Sequence, residues 1–83
     1  MTESGLIVYG TRWCADCLRT RRYLESHAIP FQWIDIDQNK DAERFVIVTN
    51  HGNRSVPTII FPDGSILVEP SNLRLKEKLA LAV

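Results

Sequence analysis

Two cysteines, Cys14 and Cys17, lie three residues apart where one sequence pattern gives way to another. The apolar run Leu6–Tyr9 before them is typical of a strand buried on both faces, and the residues after them have the apolar spacing of a helix. Sites in open α/β sheets form where a strand's carboxyl end leads into a helix. The unpaired N–H groups and positive pole of a helix N-terminus stabilise an anion, so Cys14 is a candidate thiolate. The spacing therefore predicts a redox-active dithiol.

The size and charge of the chain restrict the functions that it can have. Its 83 residues allow one domain, 1–83, with a single modest core. Ten basic residues balance ten acidic ones, so no net field favours nucleic acid or an anionic membrane surface. Met1–Ser4 lacks the features of a secretory signal and no run approaches membrane-spanning length, so we expect a cytoplasmic protein. In that compartment the close cysteine pair indicates a reversible dithiol.

Helical and extended patterns alternate in the order β-α-β-α-β-β-α, without repeats or a linker. Strands are predicted at Leu6–Tyr9, Phe31–Ile36, Val56–Phe61 and Ile66–Val68. Helices are predicted at about Cys14–Ala28, at about Lys40–Asn50 and after Pro70-Ser71-Asn72. Their inner faces consist of Cys17, Leu24 and Ala28 in the first, Ala42, Phe45, Val46 and Thr49 in the second, and Leu75, Leu79 and Ala82 in the third. A helical crossover joins the first two strands, so these strands must be parallel.

Several segments together match a known pattern. They are Val8-Tyr9, Thr11–Arg19, Gly52–Thr58, and Asp63–Ser65 ahead of Pro70-Ser71. The dithiol followed by Val56-Pro57-Thr58 is a more specific signal than the dithiol alone. On these residues the chain resembles the glutaredoxin family, and within it the mycoredoxins of actinobacteria. The resemblance implies a thioredoxin-like α/β fold with a central four-stranded mixed sheet flanked by three helices.

The resemblance also implies an activity, which is thiol–disulfide exchange with a low-molecular-weight thiol as co-substrate and no bound cofactor. Cys14 would attack mixed disulfides between proteins and the small thiol, and Cys17 would be the resolving cysteine. Exchange chemistry supports this order, because the sulfur nearer the helix start receives more of the dipole and the second is more enclosed. Ala15-Asp16 departs from the glycine-tyrosine or proline-tyrosine of the family, and the Asp16 carboxylate repels a thiolate at Cys14.

Further residues are predicted to bind substrate. By resemblance, Pro57 is cis and turns the Val56 backbone towards the substrate sulfur. Ser71 and Asn72 begin a helix at the place where glutaredoxins hold a carboxylate of the small thiol, although simple capping explains these two residues without a ligand. The set is completed by residues that flank the dithiol and the Val-Pro pair, namely Arg12, Trp13, Asp16 and Arg54.

The identity of the thiol and of the partners is also predicted. Glu69–Asn72 departs from the glycine pair and aspartate of glutathione-using glutaredoxins, which favours mycothiol over glutathione. The expected partners are protein mixed disulfides and the small thiol, with no nucleic acid and no membrane, and we expect a monomer. Cys17, His27 and His51 lack zinc-finger spacing, so no metal site is predicted.

Two alternative functions stay open from the sequence. One is a protein-disulfide reductant that donates hydrogen to ribonucleotide reductase and is recharged by a flavoprotein reductase. The other is a non-catalytic [2Fe–2S] carrier that uses Cys14 and external thiols.

Overall fold

The strands and helices follow the predicted order along the chain. The computed structural model describes residues 5–81. The elements are β1 (Ile7–Gly10), α1 (Ala15–Ser26), β2 (Gln32–Asp35), α2 (Lys40–Thr49), β3 (Thr58–Ile60), β4 (Ile66–Val68) and α3 (Asn72–Leu81). The sheet order is β2-β1-β3-β4, in which β1 and β2 are parallel and the other two pairs are antiparallel. The predicted mixed sheet and the parallel first pair are confirmed.

The strand register determines which loops meet at the end of the sheet. Tyr9 near the end of β1 pairs with Thr58 at the start of β3. Because these strands are antiparallel, the loop that follows β1 and the loop that precedes β3 lie at the same end of the sheet. The first loop carries Cys14 and the second carries Val56 and Pro57, so the register brings the two together.

Helices cover both faces of the sheet. One core cluster joins α1 and α3 to the sheet and consists of Leu6, Val8, Leu24, Ile59, Phe61 and Leu75. A second cluster joins α2 to the opposite face and consists of Ile36, Ala42 and Val46. Each fully buried aliphatic or aromatic side chain contributes about 1.5–3 kcal/mol relative to an exposed one. The predicted inner-face residues Ala42, Phe45 and Val46 of α2 and Leu75 and Leu79 of α3 are confirmed. Thr49 is only partly buried and belongs to neither cluster, and the predicted contact at Ala82 lies outside the described residues.

The predicted end of α1 is wrong by two residues. The helix ends at Ser26, and Ala28 is exposed with a φ of 56°. Its N–H donates to Glu25 O at 3.1 Å, and the Ile29 N–H donates to Leu24 O at 2.9 Å, which is the hydrogen-bond pattern of a Schellman motif. The turn takes Ala28 off the inner face, and Ile29 packs against the core instead.

The third strand begins at Thr58, two residues later than predicted. Pro57 has no N–H to donate to a strand partner, so pairing starts after it. Its carbonyl oxygen still accepts a hydrogen bond from the Glu69 N–H at 2.8 Å. Within residues 5–81, no helix has the length and apolar character to span a membrane.

Candidate active site

Cys14 is the N-cap residue of α1. Its backbone is extended, with φ −90° and ψ 118°, and its Sγ accepts a hydrogen bond from the Cys17 N–H at 3.2 Å. Cys14 is half-buried, in contrast to the fully buried Cys17. A thiolate at this position has a backbone donor already aimed at it and lies at the positive pole of the helix. The helix N-terminus predicted beside the dithiol is thus present, and Cys14 itself caps it.

Cys17 lies behind Cys14 and is fully buried. A Cβ atom placed on Gly10 would come within 2.7 Å of Cys17 Sγ and 2.6 Å of Trp33 Cη2, so glycine is required for this packing. Burial, reinforced by the side-chain hydrogen bond with Cys14, raises the pKa of Cys17 to about 12. At neutral pH Cys17 therefore keeps its proton, and the two sulfurs are chemically different.

The Val56–Pro57 peptide bond is cis, as the resemblance implied. The Cys14 thiol donates to Val56 O at a sulfur–oxygen distance of 3.7 Å. Pro57 is buried, and Thr58 Oγ1 donates to Ser55 O at 2.8 Å, which fastens the loop to the sheet. The structure therefore presents the backbone of Val56 beside the sulfur of Cys14.

The residues that flank the dithiol lie on the surface. Trp13 is 82% exposed, and the Arg12 guanidinium carbon lies 5.7 Å from the Trp13 ring centroid. Asp16 is exposed and lies 3.7 Å from an Arg19 nitrogen. An exposed aromatic ring directly before the nucleophile offers a flat surface to whatever approaches Cys14.

Ser71 and Asn72 are exposed, and their side chains accept hydrogen bonds from other groups of the protein. Ser71 Oγ accepts the Arg74 N–H at 3.1 Å, which is the capping interaction that needs no ligand. Asn72 Oδ1 accepts a hydrogen bond from Arg19 Nη1 at 2.7 Å, and Arg19 Nη2 donates to Pro70 O at 2.9 Å. Arg19 thereby joins the second turn of α1 to the start of α3. It was absent from the predicted set, because a contact across 53 positions leaves no local pattern.

Arg54 is held by two carboxylates that were also absent from the predicted set. Its Nε donates to Glu43 Oε2 at 2.7 Å, and its Nη2 donates to Asp37 Oδ1. Glu43 lies near the start of α2, and Asp37 lies in the loop between β2 and α2. The hydrogen bonds with Glu43 and Asp37 raise the pKa of Arg54. The charge that the sequence placed near the substrate is therefore paired within the protein.

Comparisons with known proteins agree with this site. The glutaredoxin family model matches residues 6–66. A Mycobacterium tuberculosis (strain H37Rv) protein named as a glutaredoxin is 43% identical over 79 residues, which cover 95% of this chain and 94% of that protein. Mycoredoxin 1 of Corynebacterium glutamicum is 34% identical over 67 residues, 81% of this chain and 82% of its own. The solved glutaredoxin of Archaeoglobus fulgidus shares the fold, with a TM-score of 0.74, 24% identity, and coverage of 92% and 86% of the two chains.

The matched span contains both cysteines and the cis-proline loop. Among residues 5–81 no group of three or more His, Cys, Asp or Glu side chains is arranged to hold a metal ion. What the site does contain is a reachable sulfur at a helix cap and a protonated thiol buried behind it. This arrangement suits disulfide exchange, in which an ionised, accessible thiol attacks first and a second thiol, from the protein or from solution, follows. The chain belongs to the glutaredoxin family and is a thiol–disulfide oxidoreductase.

Proposed function

We propose that this protein reduces mixed disulfides between proteins and a low-molecular-weight thiol, and that this thiol is mycothiol rather than glutathione. The observation that carries the proposal is the position of Cys14, a half-buried residue whose Sγ accepts the Cys17 N–H and lies 3.7 Å from Val56 O. A substrate sulfur attacked there would meet the Val56 backbone, whose N–H and C=O suit an amide-containing thiol.

The reaction begins with attack of the Cys14 thiolate on the small-thiol sulfur of the mixed disulfide. A bond forms between these two sulfurs while the disulfide bond to the protein substrate breaks. The substrate sulfur leaves as a thiolate and takes a proton from water. Cys14 now holds the small thiol as a mixed disulfide, and the protein substrate is reduced.

Two routes regenerate Cys14. A second small-thiol molecule, as its thiolate, can attack the sulfur bound to Cys14, which forms the small-molecule disulfide and releases Cys14. Alternatively, Cys17 loses its proton and attacks Cys14 Sγ, which forms the intramolecular disulfide and releases the small thiol; two further small-thiol molecules must then reduce that disulfide, and are themselves oxidised to the small-molecule disulfide, before Cys14 is free again. Because burial raises the pKa of Cys17 to about 12, the first route has the readier nucleophile.

Two observations support mycothiol as the small thiol: the name of one relative, and the contacts that Ser71 and Asn72 make within the protein. One relative that covers most of the chain is named Mycoredoxin 1. Ser71 and Asn72 already bond to Arg74 and Arg19. A thiol with a sugar scaffold needs contacts other than a carboxylate site at this helix start. We propose a single domain over 1–83 that acts as a cytoplasmic monomer on protein mixed disulfides.

The experiment measures the rate at which the protein reduces a mixed disulfide between a peptide and a small thiol, with one electron source in each assay. Mycothiol, glutathione and thioredoxin reductase would be compared, each with Cys14→Ser as the inactive control. We expect mycothiol to support the fastest turnover. Turnover only with a flavoprotein reductase would overturn the proposal in favour of a protein-disulfide reductant. Visible absorption of freshly purified protein tests the [2Fe–2S] alternative, because a cluster-bound protein is coloured.

A further inference from the structure

A hydrogen-bond network connects the end of α2 to the loop beside Cys14. Asn50, the C-cap residue of α2, donates through Nδ2 to Val46 O at 2.8 Å and to Thr58 Oγ1 at 3.2 Å. Thr58 is fully buried, and its hydroxyl donates in turn to Ser55 O at 2.8 Å. The network therefore runs from the helix through one amide and one hydroxyl to the loop that precedes β3.

The donors and acceptors in this network have only one possible assignment. A carbonyl oxygen can only accept, so the amide atom of Asn50 that faces Val46 O must be the nitrogen. The Thr58 hydroxyl has one hydrogen, and it must point at Ser55 O because that oxygen is also an acceptor only. A lone pair of the hydroxyl is then left for the Asn50 amide, so the buried oxygen is satisfied in both roles.

The network fixes the peptide group that carries the Val56 N–H. Ser55 C=O and Val56 N–H belong to one planar trans peptide unit, so they point in opposite directions. Because the hydroxyl holds the carbonyl end, the N–H end points away from Thr58. Within residues 5–81 the Val56 N–H donates to no other group, and Val56 O lies 3.7 Å from Cys14 Sγ.

We propose that Asn50 and Thr58 are positioning residues for the recognition of thiols that carry amide groups. Such a thiol pairs with the N–H and C=O of Val56, and the direction of the Ser55–Val56 peptide group decides whether the bond to the N–H forms. Neither positioning side chain touches the thiol, because both act through the Ser55 carbonyl. This inference rests on the proposed function and adds the residues that support its binding surface.

The test compares two small thiols, only one of which has amide groups. A cysteine peptide is prepared as the mixed disulfide with N-acetylcysteinamide and, separately, with 2-mercaptoethanol. The rate constant for peptide release in a single turnover is divided by that for the same substrate with dithiothreitol, which removes the difference in intrinsic reactivity. The ratio of the two normalised values is the amide preference. We expect the wild-type protein to favour the amide-bearing substrate.

Substitutions in the network should reduce this preference. Thr58→Val removes the hydroxyl and keeps the branched shape, and we expect the amide preference to fall about fivefold, the effect of one lost hydrogen bond. The normalised rate constant for the 2-mercaptoethanol substrate should stay near the wild-type value. Thr58→Ser keeps a hydroxyl and should keep the preference. Asn50→Ala should lower it less, because Thr58 still has its own hydrogen for Ser55 O.

The matched control is Thr20→Val. Thr20 lies in α1 and is also fully buried, but its Oγ1 has no hydrogen-bond partner among the described residues. The same substitution there removes a buried hydroxyl without breaking a network, so the amide preference should remain at the wild-type value. Denaturant unfolding of every variant records how much stability each has lost.

The outcomes separate this inference from the proposed function. An unchanged preference in Thr58→Val, or an equal loss in Thr58→Ser or Thr20→Val, would overturn the role of the network. If Thr58→Val does not fold, Asn50→Ala decides, and an unchanged preference in that variant would overturn the role too. Fast peptide release with no amide preference in the wild type would overturn the inference alone. Failure to release peptide from either substrate would count against the proposed function itself.

Discussion

The sulfur of Cys14 accepts the backbone N–H of Cys17 at 3.2 Å, so the proposed nucleophile caps the helix that carries the buried second cysteine. One helix turn thereby produces two thiols with different properties. The first is reachable and lies at the positive pole of α1, and the second is enclosed and keeps its proton.

Replacing either cysteine with serine should have unequal effects. Serine caps helices well, so Cys14→Ser should keep the fold while losing the nucleophile, and activity should fall to the uncatalysed rate. Cys17→Ser should retain activity on small mixed disulfides to within about tenfold, because a second small thiol can complete the cycle. Single-turnover and steady-state assays measure the activity of each variant. Activity in Cys14→Ser would contradict the assignment, and an inactive Cys17→Ser would show that the intramolecular disulfide is obligatory.

Alkylation of the reduced protein should be confined to one sulfur. With a pKa of about 12, Cys17 is ionised in only about one molecule in ten thousand at pH 8, and its sulfur is buried. Limited iodoacetamide should therefore add a single group, on Cys14, as read by peptide mass spectrometry. Unfolding in urea should expose both thiols and yield the doubly modified chain. Equal labelling of the two in the folded protein would refute the difference in reactivity.

The stability of the reduced protein should fall as the pH rises above about 9. In the unfolded chain Cys17 loses its proton near its ordinary value of 9.0, whereas in the folded protein it keeps the proton to about 12. The unfolded state then binds fewer protons between these values. The free energy of unfolding should decrease there by up to about 1.4 kcal/mol per pH unit from this group.

The matched control for this pH dependence is Cys17→Ala. Lysines and tyrosines titrate in the same range in both proteins, so the difference between the two denaturation series isolates Cys17. A slope that Cys17→Ala leaves unaltered would mean that burial does not hold the proton on this thiol.

Adding one methyl group at Gly10 should destabilise the protein. The new Cβ would lie 2.7 Å from Cys17 Sγ and 2.6 Å from Trp33 Cη2. Overpacking of this kind costs about 1–3 kcal/mol, which denaturant unfolding of Gly10→Ala can measure. Trp33→Phe removes the indole atoms nearest to the new methyl group, so the cost of Gly10→Ala should be smaller in that background. A Gly10→Ala protein as stable as the wild type would disprove the close packing.

Local patterns were sufficient to predict the secondary structure, since each depends on residues close together in the chain. The apolar run of β1 and the inner face of α2 are examples, because the period of apolar residues follows directly from strand and helix geometry. The error at Ala28 arose where two backbone hydrogen bonds in a C-terminal turn ended α1 early. An alanine with positive φ is uncommon, so composition gave no warning.

The dithiol could be assigned its chemistry before any coordinates were known, because a helix start beside two cysteines stabilises an anion by local peptide dipoles. The hydrogen-bond partners of Arg19 and Arg54 could not be predicted in this way. These partners are Asn72 for Arg19, and Glu43 and Asp37 for Arg54, which are distant in the chain and meet only when the sheet and helices pack. Charge pairing depends on the distance between two groups in space, and for residues far apart in the chain that distance is set only when the chain folds. The nucleophile therefore follows from neighbouring residues, whereas the charges around it follow from the packing of the whole domain.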